Sequence, residues 1–351
     1  MTTTSLSLST VRDLSEVSVA PPTSLPLESD KRLMLFSGRA NPELANRIAG
    51  KLGIELGPVT LKTFSSGEVY CRYEESIRGA DVFIVQPTCG NHDTGVTPND
   101  ALMELLVMID AAVGASAHRV IAVMPWYGYS RQDKKSAPRE PISARLVARM
   151  IESAGADRVL TMDLHAGQVQ GFFSVQLDHM TAIMMLTQYF NDLHLEDLVV
   201  VSPDVGRVKL NQNFAAKVGA GLAILNKERP AHQVAEITSV IGDVRGKTAV
   251  IVDDIIDTAG TLRAAGETVL AAGARSVYAA ATHAVLSGNA FENLAASAFE
   301  QIVVTDTIPL RSGAPGNVRV LSCAGHLTDA IRAIFTDKSV SEVFGGENQL
   351  F

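Results

Sequence analysis

The chain has 351 residues, 46% of them hydrophobic and 19% charged, which is enough for two domains of ordinary size with buried cores. A net charge of −8 argues against a general nucleic-acid-binding surface, so any phosphate site must be a local basic feature on an acidic body. No apolar run approaches the roughly 18 residues of a membrane span. Three scattered cysteines (Cys71, Cys89, Cys323) with no C-x-x-C give neither a disulfide framework nor a zinc site, which points to the reducing cytoplasm.

Residues 1–30 are rich in Ser, Thr and Pro, have no sustained period and lack the plan of a signal peptide; they read as a disordered tail. From Lys31 onward, short apolar runs alternate with helical patterns. Strands are expected at 33–38, 81–86, 119–126, 158–165, 198–204, 222–227, 249–254, 276–283 and 301–306. They are too short and too uniformly apolar for half-exposed strands, and fit strands covered on both faces. Helical patterns fall at 99–114, 142–155, 259–273 and 326–335. Three joins, "GASAHRV", "GADRV" and "GARSV", follow helical patterns and precede strands, with a glycine placed to turn the chain back in the left-handed conformation. Repeated βα units predict an α/β fold with parallel sheets, and the recurrence hints at two similar halves.

Along the way lie candidate sites. "FSSGEV" (64–69) reads only as a Ser-Gly turn of a β-hairpin. "WYGYSRQDKKSAPRE" (126–140) carries Arg131, Lys134, Lys135 and Arg139, either a solvated face or the holder of a polyphosphate. In an open parallel sheet, ligands sit beyond the carboxyl ends of strands. Asp163, His165, Asp204, Lys227, Asp253 and Asp254 all stand at such ends, although helix caps and turns use carboxylates there too. "NKERP" (226–230) enters an expected mobile loop and on residue type alone is an ordinary surface turn.

The most informative stretch is "AVIVDDIIDTAGTL" (249–262). An apolar strand runs into Asp253 and Asp254; Asp257 follows, then Thr258, Ala259, Gly260 and Thr261 open a helix. Amides at a turn and helix start carry partial positive charge, and small residues let an anion approach them. Neither a Walker loop nor a dinucleotide loop is present. The carboxylates therefore need a different partner from the anion. Ribose 5-phosphate satisfies both, with hydroxyls on Asp253 and Asp254 and the phosphate in the loop from Asp257.

"VIVDDIIDTAGT" resembles the phosphoribosyl-pyrophosphate motif of type I phosphoribosyltransferases. With "SRQDKK", "REPISARLVARM", "TMDLHAGQVQGFF", "VSPDVG", "NKERP" and "SVSEVF", the chain from about Lys31 onward resembles the ribose-phosphate pyrophosphokinases. The resemblance implies two phosphoribosyltransferase-like domains, 31–180 with 336–351 and 181–335. It implies ATP contacts from Arg131, Gln132 and His165, and an adenine pocket of Phe64, Ser66, Gly67 and Glu68 donated to a neighbouring subunit. His165 and Asp204 would serve a magnesium-nucleotide site. Lys227 and Arg229 would close over the reacting phosphates. Arg229, Asp253, Asp254, Asp257, Thr258, Ala259, Gly260 and Thr261 would hold ribose 5-phosphate. Dimers built into hexamers are implied, with inorganic phosphate or ADP bound allosterically near Ser76, Arg78, Arg139, Ser339 and Ser341. The chain departs from the family's usual pattern at Ser66, where Asp or Asn is common, at Arg207, where glycine is common, and in "FFSVQLD", which joins the halves.

The implied reaction moves the pyrophosphoryl group of ATP to the 1-hydroxyl of ribose 5-phosphate. A phosphoribosyltransferase using the same sugar loop and a catalytically silent regulatory homologue are the alternatives. Two α/β halves and the "RQDKK" loop disfavour the first; Lys227, Arg229 and His165 disfavour the second.

Overall fold

The computed structural model describes residues 31–231 and 234–343, and for 227–231, 234–238 and 343 the backbone alone. The tail expected over 1–30 lies outside the described residues. In the first half, β1 (Leu33–Ser37) leads through α1 (Pro42–Leu52) to a separate hairpin, β2 (Val59–Thr63) and β3 (Val69–Tyr73). Then follow β4 (Asp81–Val85), α2 (Pro98–Gly114), β5 (Arg119–Met124), α3 (Ser143–Ala154), β6 (Arg158–Met162) and β7 (Gln176–Met180). Five of these strands pair in the order β1-β4-β5-β6-β7, all parallel.

The second half has α4 (Ile183–Asp192), β8 (Leu198–Ser202), α5 (Val208–Lys217), β9 (Gly221–Ala231), β10 (Val234–Ile241) and β11 (Thr248–Ile256). After these come α6 (Gly260–Ala271), β12 (Ser276–Ala284), α7 (Ala290–Ala295), β13 (Phe299–Thr305), β14 (Val318–Leu321), α8 (Ala324–Phe335) and α9 (Val340–Val343). The sheet order is β10-β9-β8-β11-β12-β13-β14, parallel except where β10 pairs antiparallel with β9.

The expected α/β architecture is present, and its physical cause is plain in β4, where all five residues are buried. A strand buried on both faces gains roughly 1.5–3 kcal/mol for each large apolar side chain it hides. One core cluster draws on both halves: Leu35, Leu44 and Ile48 around β1 and α1 join Val250, Leu327 and Ile331 around β11 and α8. That shared core packs the two halves together. Among the described residues no helix is long and apolar enough to cross a membrane.

Three expectations need correction. At the first helix–strand join the left-handed residue is Ser116 (φ 64°), since Gly114 ends α2; Gly155 and Gly273 do turn left-handed. β6 stops at Met162, so His165 lies in the turn beyond it. The segment from Asn226 is no loop: β9 continues through Ala231 and pairs with β10, with the bulged register that two irregular strands produce.

Candidate active site

After Ile256 the chain bends over 257–259 and enters α6. Ala259 sits at φ 58°, ψ 0°, a left-handed conformation that costs a residue with a Cβ about 1–2 kcal/mol. The neighbours hold it there. Asn293 Nδ2 on α7 donates to the Thr258 carbonyl at 2.8 Å, and Leu286 N donates to the Ile256 carbonyl at 3.1 Å. No side chain caps the first amides of α6, whereas Asn41 caps α1 and Thr97 caps α2. These amides are thus free for an anion, and Thr258 and Thr261 stand beside them.

Each of the three carboxylates has its own surroundings. Asp257 accepts from Ser287 Oγ and from Arg131, which follows β5 of the first sheet. Burial pushes Asp257 upward, but the Ser287 hydrogen bond and the Arg131 guanidinium outweigh it and hold it below the ordinary carboxylate range. Asp254 is buried. Its Oδ2 lies 2.7 Å from His165 Nδ1 and 2.6 Å from Arg207 Nη2. Burial again raises its proton affinity, yet the His165 hydrogen bond and the Arg207 charge prevail, and Asp254 is held low. Asp253 accepts the Asp254 amide at 2.9 Å and has Arg207 Nε only at 3.8 Å. Partial burial and the adjacent Asp254 charge therefore hold Asp253, whose side chain is 30% exposed, well above the ordinary range.

His165 belongs to the first half and Asp254 to the second, so this contact joins the two sheets at their carboxyl ends. Nδ1 of His165 faces both the Asp254 carboxylate at 2.7 Å and Arg207 Nη2 at 3.0 Å, and Nε2 makes neither contact. Three buried bonds at Asp163, just beyond β6, support the join. Asp163, at φ 37°, accepts from Ala182 N at 2.9 Å and from Thr282 Oγ1 on β12 at 2.5 Å. His283 Nε2 stands 3.0 Å from the Asp163 carbonyl.

A cavity of about 270 Å³ is lined by the expected sugar-site residues Asp253, Asp254, Asp257, Thr258, Ala259 and Thr261, together with Arg131, His165 and Asp204, expected for the nucleotide and its magnesium. Gly260 begins α6 within the same turn. Beyond Arg131 lies a second, more apolar cavity of about 560 Å³, with Trp126, Cys89 and Ile308 in its wall and Gln132 and Ser287 at its polar side. Gln132 Oε1 also accepts from Ser143 Oγ at 2.6 Å.

Magnesium takes oxygen ligands, retains waters and is commonly held by one or two carboxylates together with phosphate oxygens. Asp204 and the Nε2 side of His165 offer such a partial set. Asp204 also accepts Arg207 N at 3.1 Å, which fixes its carboxylate at a short helical turn. Among the described residues no group of three ligating side chains forms a cage. The donor set fits an ion that arrives with a nucleotide's phosphates.

The remaining candidates lie elsewhere. Phe64, Ser66, Gly67 and Glu68 form the tip of the β2–β3 hairpin, and none of them lines either cavity. Phe64 is 45% exposed, edge-on to Tyr70, and Ser66 Oγ donates to Glu68 at 2.8 Å. Lys227 and Arg229 stand on β9, and their side chains lie outside the described residues. Ser76 and Arg78 precede β4 at the amino edge of the first sheet, where their carbonyls accept from Arg32. Ser339 and Ser341 are hydrogen-bonded to each other at 2.7 Å. Arg139 follows β5 instead, on the carboxyl side, so one chain alone separates it in the sheet from Ser76 and Arg78.

Ser287 and Asn293, which steady the 257–259 turn, carry no motif. Only their place after β12, beside β11, could have marked them.

Residues 33–155 match the family model described as the N-terminal domain of ribose phosphate pyrophosphokinase, and residues 228–345 match the phosphoribosyl synthetase-associated domain. A protein named ribose-phosphate pyrophosphokinase from Gloeobacter violaceus is 50% identical over 320 residues, covering 91% of this chain and 95% of that protein. The protein of the same name from Nostoc sp. is 50% identical over 325 residues, or 92% and 97% of the two chains. A crystal structure of phosphoribosylpyrophosphate synthetase from Mycobacterium smegmatis superposes with a TM-score of 0.80 at 43% identity, covering 88% of this chain and 100% of that one.

Proposed function

The chain belongs to the ribose-phosphate pyrophosphokinase family, and from that premise we propose that the cavity at the end of β11 is its ribose 5-phosphate site. The protein is a transferase that makes phosphoribosyl pyrophosphate and AMP from ATP and ribose 5-phosphate, a step of nucleotide biosynthesis. The observation that carries the site assignment is a pairing inside one cavity. A partly exposed carboxylate, Asp253, and the uncapped amides at the start of α6 are separated by a single turn. A pentose bearing a terminal phosphate bridges the two.

The roles follow from charge. Asp253 and Asp254 take ribose hydroxyls. Asp257, Thr258, Ala259, Gly260 and Thr261 cradle the 5-phosphate. The 1-hydroxyl oxygen then bonds to the β-phosphorus of ATP as its proton passes to solvent, the bond from that phosphorus to the α,β-bridging oxygen breaks, and AMP departs with that oxygen. Such a transfer needs positioning and charge neutralisation more than a strong base. Arg131 and Gln132 contact the nucleotide, and His165 and Asp204 would hold magnesium, directly or through its waters. When bound, that ion offsets triphosphate charge. Lys227 and Arg229, the latter also reaching the sugar phosphate, stabilise charge on the transferring group.

The hairpin carrying Phe64, Ser66, Gly67 and Glu68 serves a neighbouring subunit's adenine in this reading, because it lies apart from both cavities of its own chain. The same assembly would bring Ser76, Arg78, Arg139, Ser339 and Ser341 together as a regulatory phosphate site. An AMP-release assay with magnesium, ATP and ribose 5-phosphate and no nucleobase tests the function. AMP should form only when the sugar phosphate is present. Release that needs a nucleobase, or none at all from folded protein, contradicts it.

A further inference from the structure

Arg207 stands where the resemblance leads one to expect glycine, and it reaches the floor of the ribose-phosphate cavity. Its side chain is 16% exposed. Nη2 lies 2.6 Å from Asp254 Oδ2 and donates to the His165 carbonyl at 3.1 Å, while Nε stands 3.8 Å from Asp253 Oδ1. Its backbone is held too, by the Asp204 carboxylate at 3.1 Å. A guanidinium fixed at both ends loses little freedom on serving as a counter-ion, and it cannot be deprotonated.

Two adjacent carboxylates beside a third acidic side chain, Asp204, would ordinarily attract a hydrated divalent ion. Here one oxygen of Asp254 already has nitrogens of His165 and Arg207 within 2.7 Å. An ion at a ligand distance of about 2.0–2.1 Å would displace one of them and confront the fixed positive charge. We propose that Arg207 is the resident cation of this site: it occupies the place beside Asp253 and Asp254 that a free divalent ion would take. Metal then enters only with the nucleotide's phosphates, toward Asp204 and His165. Arg207 acts on the ribose through Asp253 and Asp254, so it is a positioning residue and a determinant of how many ions the site binds.

The inference rests on the proposed placement of magnesium with the nucleotide. Its test uses neither sugar nor nucleotide, so its failure is separable from that of the ribose-phosphate reading. Mn²⁺ is titrated into the nucleotide-free full chain, and free ion is read by electron paramagnetic resonance. For the unaltered chain, Asp253→Asn should leave Mn²⁺ binding unchanged, because no ion sits at those carboxylates. Arg207→Gly should gain one bound Mn²⁺ per chain, at least tenfold tighter than any in the parent, and adding Asp253→Asn should remove it. Arg207→Met, which keeps the bulk and loses the charge, should behave likewise and serves if the glycine variant does not fold. A Mn²⁺ site in the unaltered chain that Asp253→Asn abolishes, or no gain in a folded Arg207 variant, overturns the proposal.

Discussion

The guanidinium of Arg131, beyond β5 of the first sheet, is ion-paired with the carboxylate of Asp257, beyond β11 of the second. The pair joins the wall of the larger cavity to the loop of the smaller one. Arg131 is 48% exposed and Asp257 29%, so water screens the attraction and its share of stability is only about 0–1 kcal/mol. Asp257→Asn should accordingly shift the melting temperature by no more than a few degrees. The KM for ribose 5-phosphate should rise by roughly tenfold or more, as loss of a charged hydrogen bond does. Steady-state kinetics beside a melting curve checks both halves of this prediction, and equal damage to both would make Asp257 merely structural.

The left-handed backbone of Ala259 gives a second prediction. Glycine adopts φ near +58° without strain, so Ala259→Gly should keep ribose 5-phosphate binding and melt within a few degrees of the parent. Valine is β-branched and disfavours positive φ strongly. Ala259→Val should move the turn off its path and weaken ribose 5-phosphate binding by on the order of tenfold or more, as loss of a hydrogen bond to charge does. Unchanged binding in the valine variant would mean that the turn's conformation does not matter.

Lys227 lies on β9, the strand that β10 extends as an antiparallel arm. If it stabilises the transferring pyrophosphoryl group, Lys227→Ala should lower kcat by on the order of 10²–10³. The KM for ribose 5-phosphate should change little, the pattern of an interaction made in the transition state. Single-turnover AMP formation separates this from slow product release.

Acid stability should carry the mark of His179. This imidazole is buried on β7 and accepts the Leu164 amide through Nε2 at 3.0 Å, a bond that only the neutral ring can make. Burial lowers its pKa from 6.5 to about 4, with Asp163 opposing. Between those values the unfolded chain binds a proton that the folded chain refuses. Stability is therefore full above about pH 6.5, falls as pH drops through the window and levels below about 4. His179→Gln, which can still accept from Leu164, should flatten the dependence by up to about 1.4 kcal/mol per pH unit. Urea unfolding at several pH values reads the slope, and an unaltered slope would refute the assignment.

Much of this was legible in the residues. β4 and β11 read as buried strands because they are apolar on both faces. β7 did not, since Gln176, Asp178 and His179 look like loop residues until Arg158 pairs with Asp178 and Leu164 meets His179. α1 and α5 passed unmarked because their apolar faces are short and mixed with Asn, Arg and Lys. Within the site, the run from Asp253 to Thr261 is local and could be read from spacing. The Arg131–Asp257 and His165–Asp254 contacts could not, because they depend on how two sheets with a shared core face each other, and the Arg207–Asp254 contact depends on β8 and β11 being neighbours in one sheet.

Isothermal calorimetry of ribose 5-phosphate, with and without magnesium-ATP, bears most directly on the central claim that one pentose is held at both ends. One site per chain should appear, and both Asp253→Asn and Ala259→Val should weaken it, the first through the hydroxyls and the second through the phosphate. Absence of any heat from the folded parent, or an isotherm that neither change alters, would contradict the account.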